Sequence, residues 1–94
     1  LQVDVALRDD YLIWLRAHVR DMLAFDGFID ATLADVSEPA PAPGCFALCV
    51  RYCVRDAASL QAYFDQHAPR MREDGIARFG DGFSASRRIL TLLD

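Results

Sequence analysis

The hydrophobic period of this chain switches repeatedly between two residues, the period of a strand, and about 3.6 residues, the period of a helix. Strands and helices bury different sets of side chains, so each switch marks the end of one element and the start of the next. The predicted order is β-α-β-β-α-β. Its members are strands at residues 1–7, 28–36, 45–54 and 83–93 and helices at residues 11–25 and 57–67.

Capping and turn residues set the boundaries of these elements. We expect Asp9 to cap the first helix, with Asp10 in its first turn, and Gly27 to end it. Asp56 is expected to cap the second helix in the same way. Residues 37–44, SEPAPAPG, contain three prolines, which cannot donate to a sheet ladder. They are predicted to form a stiff, exposed connection.

The stretch HAPRMREDGIARFG, residues 67–80, places a proline within a helical pattern. Proline interrupts a helix unless it lies in the first turn, where its missing N–H costs little. We therefore expect His67 to close one helix and Pro69 to open a further segment that ends at Phe79. Gly80 is expected to stop that segment.

The order of elements predicts an α+β fold of the ferredoxin-like type. Right-handed crossovers would give a four-stranded antiparallel sheet with two helices on one face. A chain of 94 residues fits one domain, so we expect a single ferredoxin-like domain over residues 1–94. The other face of the sheet would then be bare.

The bare face is predicted to carry small and polar side chains, with acids on the first two strands and arginines on the last two. They are Gln2, Asp4, Ala6, Asp30, Thr32, Ala34 (or the alternate set on that strand), Cys45, Ala47, Cys49, Arg51, Cys53, Ser84, Ser86 and Arg88. Small residues and opposed charges favour packing against a second sheet. We expect a homodimer that stacks two such faces into one barrel. The alternative is a monomer with a polar outer face.

Composition narrows the choice of partner. The 53% hydrophobic content is high for so small a chain and favours a partner subunit. The net charge of −4 argues against nucleic acid and against an anionic membrane surface. No apolar run approaches the roughly 18 residues that span a bilayer. No signal peptide is visible, although the chain starts at Leu1 without Met, and we expect a cytoplasmic protein with reduced cysteines.

Two histidines are the candidate chemical groups. His18 and His67 lie beside apolar stripes of helices predicted to be parallel neighbours, so a cleft between helices and sheet could hold a small molecule. A histidine there could act as a general base near neutral pH. The alternative is a pair of hydrogen-bonded histidines at the helix seam. The candidate cleft is lined by Trp14, His18, Tyr63 and His67.

Neither metal nor disulfide chemistry is predicted. Two histidines are too few for a closed zinc site, and Asp65 or Glu73 would have to reach them. The cysteines lie at i, i+4 and i+8 on a strand, where four residues span about 13 Å, beyond disulfide reach. They are Cys45, Cys49 and Cys53. We interpret them as small packed residues, or as contacts between equivalent cysteines across the dimer.

Two arginines form a weaker candidate site. Arg70, at the start of the Pro69 segment, could join Arg87 in binding a carboxylate or phosphate. The alternative is that these charges stay solvated. Pairs such as Asp74 and Arg78 are ordinary support on a helix surface.

The chain resembles a known family. The stretches WLRAHV, PAPGCFALCVRY and YFDQHAPRMREDGIARFGDGFSASRRIL match the pattern of domain-of-unknown-function family 4286, of the dimeric α/β-barrel superfamily. The resemblance covers essentially the whole chain and implies a ferredoxin-like fold and dimerisation. It implies no reaction, no cofactor and no catalytic residue.

The wider superfamily suggests one enzymatic alternative. It includes cofactor-free monooxygenases, haem-degrading enzymes, isomerases and amino-acid-sensing regulator domains, and fold does not choose among them. The favoured interpretation is a homodimer of unknown function with a small molecule as a further partner. The alternative is a monooxygenase-like or isomerase-like enzyme that uses His18 or His67 as general base.

Overall fold

The computed structural model describes residues 1–93, which form one four-stranded antiparallel sheet covered by helices. The strands are β1 (Gln2–Asp4), β2 (Phe28–Asp35), β3 (Cys45–Val54) and β4 (Phe83–Ser84). The helices are α1 (Arg8–Leu23), α2 (Ala57–Gln66) and α3 (Ala68–Phe79). The strand order is β2-β3-β1-β4, with every neighbouring pair antiparallel. The predicted α+β class is confirmed.

The main core lies between α1 and the two central strands, β1 and β3. Phe46 and Leu48 are buried on alternate positions of β3, as the period of two predicts. Tyr11 and Leu15 are buried one turn apart on α1. These four side chains form one cluster with Val3 of β1, which is fully buried. One stripe of α1 and one face of the sheet therefore cover each other.

A second core cluster packs α2 and α3 against the same face of the sheet as α1. Met22 near the end of α1, Phe28 at the start of β2 and Met71 of α3 are buried together. Leu60 and Tyr63 of α2 pack against them. Since Phe28 pairs with Val54, on the helix-facing side of β3, all three helices described in residues 1–93 lie on one side of the sheet.

The first strand is shorter than the predicted strand at residues 1–7. It ends at Asp4, whose carboxylate accepts a hydrogen bond of 2.9 Å from the Ala6 amide. A short acidic side chain that bonds the backbone two residues on favours a turn over a strand. Residues Val5–Leu7 accordingly form a 3₁₀ helix.

Helices α1 and α2 start differently. Leu7 precedes α1 and makes no side-chain capping hydrogen bond, while Asp9 and Asp10 lie in the first turn. The prediction that Asp9 caps α1 is therefore wrong, because the chain enters α1 directly from the 3₁₀ helix. Asp56 caps α2 as predicted, since its carboxylate accepts a hydrogen bond of 2.8 Å from the Ser59 amide.

The predicted break between α2 and α3 is confirmed. His67 leaves helical geometry, with φ of −129°, and Pro69 lies in the first turn of α3. Gly80 ends α3 with φ of 56°, a conformation that favours glycine. None of the helices in residues 1–93 has the length and hydrophobicity needed to cross a membrane.

The last strand is much shorter than the predicted strand at residues 83–93. In the antiparallel register Gln2 pairs with Ser84, so the next position, Ala85, comes opposite Leu1. The positions from Ala85 to Leu93 have no regular structure.

Candidate functional site

The helices cover one face of the sheet and leave the opposite face bare. This bare face is the one that the sequence predicted. Cross-strand partners share a face, and six pairs lie on this one. They are Asp30–Cys53, Thr32–Arg51, Ala34–Cys49, Gln2–Ala47, Asp4–Cys45 and Gln2–Ser84. The structure therefore selects Asp30, Thr32 and Ala34 over the alternate set on β2.

The predicted charge pattern of this face is only partly present. The acids Asp4 and Asp30 lie on it, and so does Arg51. Arg88, which was expected on the last strand, lies beyond the end of β4, as does Ser86. Ala6 lies in the 3₁₀ helix instead of β1. Arg51 is therefore the arginine that the described strands place on this face.

The three cysteines lie on the bare face with free thiols. Cys49 and Cys53 are exposed, and Cys45 is half-buried. Within residues 1–93 there is no group of three or more His, Cys, Asp or Glu side chains that could hold a metal ion. The three thiols contribute small, weakly polar surface along the length of β3.

His18 lies in an aromatic stack on α1. Its ring is 4.8 Å from the Trp14 ring, with the two planes 22° apart. Burial lowers the pKa of His18, while Asp21 and Asp74 act in the opposite direction. α3 packs against the edge of the Trp14 ring, because a Cβ added at Gly75 would lie 3.2 Å from Cη2 of Trp14.

His67 lies in a different stack. Its ring is 4.2 Å from the Phe25 ring, with the planes 15° apart, and 6.5 Å from the Tyr63 ring. The Arg70 guanidinium lies 3.2 Å from Nδ1 of His67. Since arginine can only donate, Nδ1 accepts, and this leaves the proton of a neutral ring on Nε2.

The two histidines contact different aromatic side chains. The ring contacts of Trp14 are with Tyr11, His18 and Phe79, in the main core cluster. Tyr63 belongs to the second cluster. Each histidine therefore has its own aromatic partner, and no ring contact within residues 1–93 links His18 to His67.

Two surface hollows lie elsewhere. One of about 270 Å³ lies between α1 and the edge strand β2, and one of about 430 Å³ lies beside the start of α1. The first is lined by Arg16, Val19, Arg20, Ala31, Thr32 and Leu33, the second by Val5, Ala6, Arg8, Asp9 and Asp10. None of the four residues predicted to form the cleft lines either hollow. Sequence spacing did not reveal them, since each depends on how a helix packs beside its neighbours.

The two arginines of the predicted anion site contact different side chains. The Arg87 guanidinium carbon lies 4.1 Å from the centre of the Phe64 ring, and that ring is 5.7 Å from the Tyr63 ring. Arg70 instead contacts Nδ1 of His67. Burial raises the pKa of Tyr63, while Arg87 and Arg72 lower it.

The fold and its bare sheet face define a small α+β domain. The chain belongs to the family described as Domain of unknown function (DUF4286), whose model matches residues 1–93. A comparison with curated proteins found no match, and a comparison with solved structures found none either. The predicted family is confirmed, and its description carries no activity.

Proposed function

We propose that the protein is a homodimeric module in which two ferredoxin-like subunits stack their bare sheet faces into one α/β barrel. The composition of that face carries the proposal, because its residues are small or of opposed charge. A sheet face that is exposed only to solvent usually carries longer and more uniformly charged side chains.

The ferredoxin-like assignment is supported by the order of elements. β1, α1, β2 and β3 follow one another, and α2 with α3 then takes the place of the second helix before β4. The strand order β2-β3-β1-β4 places β1 and β3 in the centre of the sheet. Both crossovers run over the same side, and this leaves the other side for a partner.

Packing favours a second copy of this face as the partner. Stacked sheets lie about 10 Å apart, and small residues such as Ala34, Ala47 and Cys49 permit that approach. In a two-fold dimer each face meets its own copy, so the acids Asp4 and Asp30 of one subunit can approach Arg51 of the other. Such pairs would set the register of the two sheets.

Light scattering on two matched variants tests the proposal. Cys49→Glu places a charge in the middle of the bare face, and Ala62→Glu adds the same charge to an exposed position of α2. Burying an unpaired carboxylate costs several kcal/mol, so we expect Cys49→Glu to weaken dimerisation by more than about 100-fold. Wild type and Ala62→Glu should stay dimeric. A dimeric Cys49→Glu variant would contradict the proposed interface.

Small-molecule binding and general-base catalysis stay predictions. A ligand that used Trp14 with His18, or Tyr63 with His67, would have to share rings that already stack on each other or on Phe25. None of Trp14, His18, Tyr63 and His67 lines either described hollow. The observations therefore favour the structural module over the enzyme.

A further inference from the structure

The hollow of about 270 Å³ between α1 and β2 places two arginines beside an edge of the sheet. Arg16 and Arg20 line it from α1, and residues 31–33 line it from β2. Val19 and Leu33, which also line it, are half-buried and pack against the main core cluster. The core therefore holds the helix and the strand at a fixed separation on both sides of the hollow.

The two arginines of the hollow have no acidic partner in the part of the chain that the structure describes. The ion pairs among residues 1–93 are made by Arg8 and Arg55. Arg16 and Arg20 lie four residues apart on α1, and like charges at this spacing destabilise a helix. A bound anion would remove that cost.

β2 offers unpaired backbone groups beside these charges. It has eight residues, and its outer side pairs with no strand among residues 1–93. Alternate residues of an antiparallel edge strand point their N–H and C=O groups outward, and an extended peptide can pair with them. A peptide added there would lie about 4.8 Å from β2. Side chains on the helix-facing side of the peptide would then lie next to the hollow and its two arginines.

The spacing of the arginines matches the period of an extended chain. Four residues of a helix rise about 6 Å, and alternate residues on one face of a strand lie about 6.8 Å apart. Two acidic side chains at alternate positions can therefore each meet one guanidinium, a donor that pairs strongly with carboxylates. We propose that the edge of β2 binds an extended peptide of a partner protein, with acidic residues at alternate positions facing Arg16 and Arg20.

A second copy of this chain fits the same edge less well. Two-fold pairing of β2 with its own copy would place both arginine pairs on the same side of the joined sheet, where like charges repel. The proposed dimer buries the bare face of the sheet, whereas the peptide pairs with its edge. The two proposals therefore concern different surfaces and are tested separately.

Titration calorimetry with a short synthetic peptide of alternating threonine and glutamate tests the site. The variants are Arg16→Gln and Arg20→Gln, and the matched control is Arg72→Gln, an exposed arginine of α3. We expect saturable binding to wild type and to the control, and at least tenfold weaker binding to each of the other two variants. Equal binding by all four proteins, or no saturable binding to wild type at millimolar peptide, would overturn the proposal.

Amide hydrogen exchange separates strand addition from the binding of a small anion. The peptide should slow exchange at the amides of β2 that point away from β3, and glutarate, a free dicarboxylate, should not. A peptide that leaves these amides unprotected would show that the hollow takes a small carboxylate only. That result would overturn strand addition even if both arginine variants bind more weakly.

Discussion

At the scale of single residues, Gly27 shows how closely two elements meet. Its φ of 85° lies in the region that favours glycine, and its carbonyl accepts a hydrogen bond of 2.7 Å from the Arg55 amide. An added Cβ would overlap the buried Ser59 side chain at the start of α2. The turn before β2 and the start of α2 are therefore packed against each other here.

We expect Gly27→Ala to lower the free energy of unfolding by about 3 kcal/mol, through both backbone strain and overlap with Ser59. Gly44→Ala is the matched control, since Gly44 has φ of 79° but nothing within 4 Å of an added Cβ. It should cost about 1 kcal/mol. Equal losses in urea unfolding would show that the contact with Ser59 adds nothing.

His18 provides a pH-dependent test at the same scale. Burial lowers its pKa below the ordinary value of 6.5, so the protonated ring is less favourable in the folded chain than in the unfolded chain. The neutral ring makes its full contribution to the free energy of unfolding above about pH 6.5. That contribution is lost as the pH falls through 6.5 towards the folded-state pKa. We expect His18→Gln to flatten the pH dependence of the urea midpoint between pH 8 and pH 5.5. Equal slopes for both proteins would contradict this account.

At the scale of elements, the local sequence predicted the interior helices and strands more accurately than the first and last strands. β3 and α3 follow their predicted patterns because alternation, Pro69 and Gly80 act locally. β1 and β4 were predicted too long: β1 ends at Asp4, whose side chain accepts from the Ala6 amide, and β4 ends at Ser84. The predicted cleft depends on how the helices pack, which sequence spacing does not determine, and it stays a prediction.

Helix capping gives a prediction about elements. Asp56→Ala removes the carboxylate that accepts from the Ser59 amide, whereas Asp9→Ala removes a first-turn acid with no capping bond. We expect Asp56→Ala to lower the melting temperature by about 5 °C more than Asp9→Ala does. Thermal unfolding by circular dichroism measures the difference. Equal losses would mean that the cap contributes no more than a charge in the first turn.

At the scale of the whole molecule, the most exposed large apolar side chains lie away from the bare sheet face. The most exposed large apolar side chains are Leu93, Leu92 and Leu90, at 93%, 74% and 69% exposure, in the segment after β4. The side chains of the bare face are small or polar. The case for self-association therefore depends on shape and opposed charge at that face, and not on a large hydrophobic patch.

The most direct measurement for this account is native mass spectrometry of the wild-type chain, with sedimentation equilibrium at about 10 μM as a check in solution. The account predicts a species of twice the 10.5 kDa chain mass. That species should dissociate when Cys49→Glu is introduced and should persist with Ala62→Glu. A single species of 10.5 kDa across the micromolar range would contradict the dimer and leave the bare face as a surface for water.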